Sequence, residues 1–127
     1  IKRLDHNIQQ RTKNFKLWLN TLDSEKYFTD YQIKGSSNFA LPLILNETDP
    51  LLFQSVCTLL DNSDVEYRVG TAGGGNQSKQ PYLENYTFKK HTLTNTDHIH
   101  RMGLYVGNHP ELHDNQITEL CNNLNEL

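Results

Sequence analysis

Residues 39–60 read FALPLILNETDPLLFQSVCTLL, and the order of signals inside them decides the fold class. Phe39, Leu41, Leu43 and Leu45 alternate, as one face of a β-strand requires. Ala40, Pro42 and Ile44 are apolar as well, so both faces of this strand are expected to be covered. Pro42 has no N–H to give to a ladder, which places the strand at a sheet edge or at a bulge. Asp49 then offers an N-cap and Pro50 the preferred first helical position. In the run that follows, Leu52, Val56, Leu59 and Leu60 fall near one helical face. A strand is thus followed directly by a helix.

Working outward, residues 61–64 (DNSD) stop that helix, and Val65, Tyr67 and Val69 alternate as a short strand entering a glycine cluster. Beyond Tyr86 comes a polar stretch. Met102, Leu104 and Val106 then alternate within HRMGLYVGN as a third strand, ended by Gly107-Asn108. Ile117, Leu120, Cys121, Leu124 and Leu127 recur at helical spacing, a terminal helix capped near Asp114. Toward the N-terminus, Leu4, Ile8, Phe15, Trp18 and Leu22 predict one helix over residues 1–22, with a polar interruption at Arg11 and Thr12. That interruption suits a helix bridging two bodies. Residues 25–38 are too irregular for an element. The order predicts an α+β fold, a small, mostly antiparallel sheet of about three strands packed with helices.

Composition narrows the function classes. The 127 residues fit one domain. Hydrophobic residues make up 35% of the chain, below the about 45–50% usual for globular domains, so a packing neighbour is expected. Twelve basic against fifteen acidic side chains give −3, with no basic block longer than Lys89-Lys90, so no nucleic-acid partner is expected. No run approaches the roughly 18 apolar residues of a membrane span. The first fifteen residues, IKRLDHNIQQRTKNF, lack the apolar core of a secretory signal. A soluble, cytoplasmic protein is expected, and the missing initiator Met suggests a piece of a longer chain. Cys57 and Cys121 lack CxxC spacing and are expected to be buried free thiols. The sequons at Asn46, Asn76 and Asn85 arise easily in so Asn-rich a chain.

Chemistry is sought first in residues 67–83, YRVGTAGGGNQSKQPYL. Gly70 and Gly75 have the spacing of a nucleotide-triphosphate loop, but Asn76 and Gln77 stand where Lys and Ser/Thr are needed. Ala72 breaks the dinucleotide pattern, and Pro81 forbids a regular helix just beyond. What remains is a loop whose bare backbone permits close approach by another chain or a ligand. Arg68 suits a carboxylate or phosphate, or else a surface ion pair. Asn76, Gln77 and Gln80 can grip a polyhydroxylated ligand or cap the loop. His98, His100, His109 and His113 raise a metal reading, with His98 and His100 on one strand face. Pro110 interrupts HPELH and no HExxH is present, so no metal site is predicted. Cys57 on an apolar face reads as packing, and Asp61 and Asp64 as turn residues.

The segments RTKNFKLWLNTLDSEKYF, SSNFALPLIL, YRVGTAGGGNQSKQPYL and DHIHRMGLYVGNHPEL, in this spacing, resemble the C-terminal small domain of the DegT/StrS-type sugar aminotransferases and their dehydratase relatives. The resemblance covers nearly the whole chain, and NQSKQPYL and GLYVGNHPEL are its most specific parts. It implies a pyridoxal 5'-phosphate (PLP) enzyme of the aspartate aminotransferase fold, acting on nucleotide-linked keto sugars as a homodimer. Residues 1–127 would be the small domain, with 1–22 the interdomain helix and 39–127 the α+β body. The large domain, not in this chain, would hold the cofactor and its lysine, or a histidine in the dehydratases. By position, the resemblance makes Arg68, Asn76, Lys79, Gln80 and His109 candidate substrate-binding residues, in a loop from Arg68 to Tyr82 facing the sugar nucleotide. No catalytic residue is expected in this chain, since Lys34, Lys79 and Lys89 sit in polar settings. Three readings stand: aminotransferase domain, dehydratase domain, or a stand-alone binding module. A domain cut from its partner is expected to expose apolar surface around Phe15 and Trp18.

Overall fold

The structure, a computed structural model, describes residues 3–70, 75–86 and 92–127. Its elements are α1 (Leu4–Thr21), β1 (Ala40–Ile44), α2 (Pro50–Asn62), β2 (Tyr67–Val69), α3 (Thr94–Met102), β3 (Gly103–Gly107) and α4 (Asp114–Asn125). The three strands form one antiparallel sheet in the order β1-β3-β2. Both Pro42 and Arg68 stand opposite Tyr105 in the central strand. β1 is therefore an edge, where Pro42 costs no ladder bond. None of the described helices is long and apolar enough to cross a membrane.

One face of the sheet carries the core. Leu41, Leu43, Leu104 and Val106 pack with Phe15, Trp18 and Leu22, with Val56 and Leu60 of α2, and with Ile117, Cys121 and Leu124 of α4. The capping of α2 is as the sequence predicts: Asp49 Oδ1 accepts from the N–H groups of Leu51 and Leu52 at 3.0 and 2.9 Å. The terminal helix opens with Gln116 Oε1 accepting from the His113 N–H at 3.0 Å. Cys121 is buried and Cys57 half-buried, both as free thiols.

The opposite sheet face is only partly covered, contrary to the expectation for residues 39–45. Ala40, Pro42 and Ile44 are half-buried. The regular strand begins after Asn38, whose φ of 48° turns the chain. Phe39 therefore escapes the alternation, is 63% exposed and rests edge-on against Tyr105.

Phe15 and Trp18 are not the exposed surface that was expected; both are buried. Trp18 is held on the sheet by its own indole, whose Nε1–H donates to the Pro42 carbonyl at 2.9 Å. The polar interruption of α1 also has local partners. Arg11 Nε donates to the Asn108 carbonyl, and Asn14 Nδ2 donates to Asn108 Oδ1 and to the His109 carbonyl, each at 3.1 Å. Asn108 Nδ2 returns bonds to the carbonyls of Arg11 and Asn38 at 2.9 and 2.8 Å.

Two elements departed from the sequence reading. The segment taken as irregular supplies Tyr27, which bridges to Leu45, is fully buried and donates its hydroxyl to the Leu124 carbonyl at 2.7 Å. The polar stretch before β3 holds α3, so Met102 closes a helix and does not open a strand. Ile99 and Met102 are its only large apolar residues, too few to register as a periodic stripe.

Candidate functional site

The segment after β2 is built by turns and then fixed by α3. Gly75 N–H donates to the Gly70 carbonyl at 2.7 Å. Asn76 caps a short 3-10 turn over Gln77–Lys79, its Oδ1 accepting from Ser78 N–H at 3.0 Å and from Ser78 Oγ at 2.7 Å. Pro81 then opens a second such turn, Pro81–Leu83, where a first-position proline loses nothing. Asn76 and Gln80 are buried, 3% and 8% exposed. Buried amides demand partners.

Those of Asn76 come from α3. Asp97 Oδ1 accepts from Asn76 Nδ2 at 2.5 Å and pairs with Lys79 Nζ at 2.9 Å. His100 Nδ1 accepts the Asn76 backbone N–H at 3.2 Å. Hydrogen bonds from Lys79 and Asn76 hold the Asp97 carboxyl below its ordinary range. The Lys79 side chain keeps 47% of its surface in solvent while its ammonium is paired with Asp97.

Of the residues singled out in the sequence, Asn76, Lys79 and Gln80 thus stand together. Arg68 lies on the edge strand β2 in an exposed pair with Glu66 at 2.6 Å, which matches the surface-pair reading. His109 lies past Gly107, at the far end of β3; its ring Nδ1 accepts from the Glu111 N–H at 3.3 Å. It does not join the cluster. Gln77 donates to the Tyr82 hydroxyl. Gly73 and Gly74 of the glycine cluster, and Lys89, lie outside the described residues.

Asp97 escaped the sequence reading, and His100 entered it only as a metal candidate. They share a helix face because they are three residues apart, a relation hidden while this stretch was read as loop running into a strand. The same error paired His98 with His100. In α3 they diverge: His98 Nε2 donates to the Leu45 carbonyl at 2.6 Å, on the side away from Asn76. Among the described residues, no three His, Cys, Asp or Glu side chains are grouped to hold a metal ion. No described lysine is buried, so these residues do not fit the desolvated attachment point that PLP requires. An open groove of about 640 Å³ lies elsewhere, between Trp18, Leu41, Val106, Ile117 and Leu120, and contains none of the candidate residues.

The pattern of the DegT/DnrJ/EryC1/StrS aminotransferase family matches residues 1–125. GDP-4-keto-6-deoxy-D-mannose 3-dehydratase of Yersinia pseudotuberculosis is 29% identical over 124 residues, 96% of this chain and 31% of that protein. Lipopolysaccharide biosynthesis protein RfbH of Salmonella typhimurium is 28% identical over 117 residues, 88% of this chain and 26% of that protein. Among solved structures, a GDP-4-keto-6-deoxymannose-3-dehydratase with a trapped PLP-glutamate geminal diamine superposes with a TM-score of 0.81 at 23% identity, covering 97% of this chain and 32% of its own. The E. coli GDP-4-keto-6-deoxy-D-mannose-3-dehydratase with bound hydrated PLP gives 0.80 at 22% identity, with the same coverage. The α+β architecture is thus shared with these structures. The chain spans about a third of the length of these relatives.

Proposed function

The chain belongs to the DegT/DnrJ/EryC1/StrS aminotransferase family, and on that premise we propose that it is the C-terminal small domain of a PLP-dependent enzyme acting on a nucleotide-linked keto sugar. The observation that carries this reading is the extent of the family match, residues 1–125, in a chain about a third as long as its relatives. When bound, PLP supplies an electron sink for carbanion chemistry. Its attachment is proposed to lie in the large domain, since no described lysine here is buried.

The role proposed for this chain is binding. Lys79 offers a half-exposed ammonium to a phosphate group, and the segment from Asn76 to Gln80 forms a wall against the sugar nucleotide. Arg68 and His109 are proposed as outer contacts, with Arg68 exchanging Glu66 for the ligand. The full-length protein is proposed to work as a cytoplasmic homodimer.

Two reactions divide the proposal. Amino transfer from glutamate is what the family's description names. Loss of the sugar 3-hydroxyl is favoured by a specific observation, the Yersinia relative's name as a 3-dehydratase. The test is to incubate the full-length protein with PLP, glutamate and GDP-4-keto-6-deoxymannose and weigh the product. An amine in place of the keto oxygen supports the aminotransferase, and loss of the 3-oxygen the dehydratase. An unchanged sugar, with dTDP- and UDP-linked keto sugars also unchanged, would overturn the proposal.

A further inference from the structure

We propose that Asp97 and His100 of α3 are the positioning residues of the Asn76–Gln80 wall, and that through Asn76 they set the place from which Lys79 meets a nucleotide diphosphate. The inference rests on the functional reading above for the ligand, but the lock itself is built from residues of this chain. Asp97 grips side chains, taking one hydrogen bond from Asn76 Nδ2 and one from Lys79 Nζ. His100 grips backbone, accepting the Asn76 N–H. One turn of helix thus fixes both the main chain and the cation of the segment.

The fit around the imidazole is unusually close. A Cβ added at Gly75 would lie 2.2 Å from His100 Nδ1 and 2.7 Å from the Gly70 backbone. One added at Gly70 would lie 2.9 Å from both His100 Nδ1 and the His100 carbonyl. Side-chain-bearing residues at these two positions would push the ring away from the Asn76 amide. Gly70 and Gly75 are therefore glycine because a histidine ring fills the space. The spacing that imitates a phosphate loop serves instead to seat a side chain from another element.

The geometry also accounts for the burial of the Asn76 amide, which bears no catalytic group. Asn76 distributes its atoms over four partners: Asp97, His100, and the Ser78 N–H and hydroxyl. It is the connector, and Lys79 three residues on is the group it positions. Loss of an acceptor at residue 100 frees the backbone without removing any atom that touches the ligand. A substitution there alters where Lys79 stands and leaves its charge intact.

Two variants of the full-length protein, His100→Ala and His100→Asn, test this, because the Asn Oδ1 can accept where Nδ1 does. Two readouts are used: calorimetric affinity for GDP, UDP and dTDP, and hydrogen exchange of the peptide holding residues 75–80. H100A is expected to weaken nucleotide binding about tenfold and to lose protection at the Asn76 amide. H100N is expected to restore both to near wild type. If H100A keeps wild-type protection and affinity, or H100N fails as fully as H100A, the lock is overturned. A wild type that binds none of the three nucleotides overturns the functional reading, while the exchange pattern still decides the lock.

Discussion

Asn108 shows how a single residue resolves what looked like a fault in α1. Its side chain donates to two carbonyls, those of Arg11 and Asn38, and accepts from Asn14. The polar gap in an otherwise amphipathic helix is therefore matched to an asparagine just past β3. Burial without partners would be costly here. Tyr27 and Cys121 illustrate the same scale in titration. Burial pushes the Tyr27 phenol and the Cys121 thiol each up to about 12. The folded chain holds these protons where the unfolded chain, with values near 10 and roughly 8.5, releases them. Their contribution to stability is thus complete below about pH 8.5 and is lost as pH rises toward 12. The urea midpoint is expected to be lower at about pH 10.5 than at pH 8; equal midpoints would refute the assignment.

At the scale of elements, α1 is anchored by its second half. Trp18 is fully buried, whereas Leu4 is 53% exposed. Trp18→Ala is expected to cost about 3–5 kcal/mol in urea unfolding, and Leu4→Ala no more than about 0.5 kcal/mol. Equal effects would mean that the whole helix length is packed in this chain. The same contrast explains what the sequence disclosed. Elements with a cap and a dense apolar stripe, such as α2 with Asp49 and Pro50, were readable residue by residue. The strands β1 and β3 were readable from alternation, although β3 was begun one residue early. α3 was not, because its stabilising contacts are polar and made across the chain: His98 to Leu45, Asp97 to Lys79, His100 to Asn76. Local periodicity carries no trace of such pairings. The two site residues that α3 touches, Asn76 and Lys79, were nonetheless legible through NQSKQP, whereas the holding roles of Asp97 and His100 emerge only once that stretch is known to be helical.

At the scale of the molecule, the sheet divides the chain's duties. One face holds nearly all the core, from Phe15 to Leu124. The other carries α3 and the Asn76–Gln80 segment, whose buried amides and half-exposed lysine make up the proposed binding wall. Phe39, Tyr82 and Tyr86 are exposed, in keeping with the lean composition and with a body that completes its surface against another. The proposed domain role joins these features: a rigid small body presenting one positioned cation to a nucleotide sugar. The affinity of the full-length protein for GDP tests this most directly, compared between wild type and the Lys79→Met, Asp97→Asn double variant, in which no unpaired carboxylate remains. Loss of a charge-assisted contact predicts binding weaker by at least about tenfold; equal affinity in the two proteins would contradict the account.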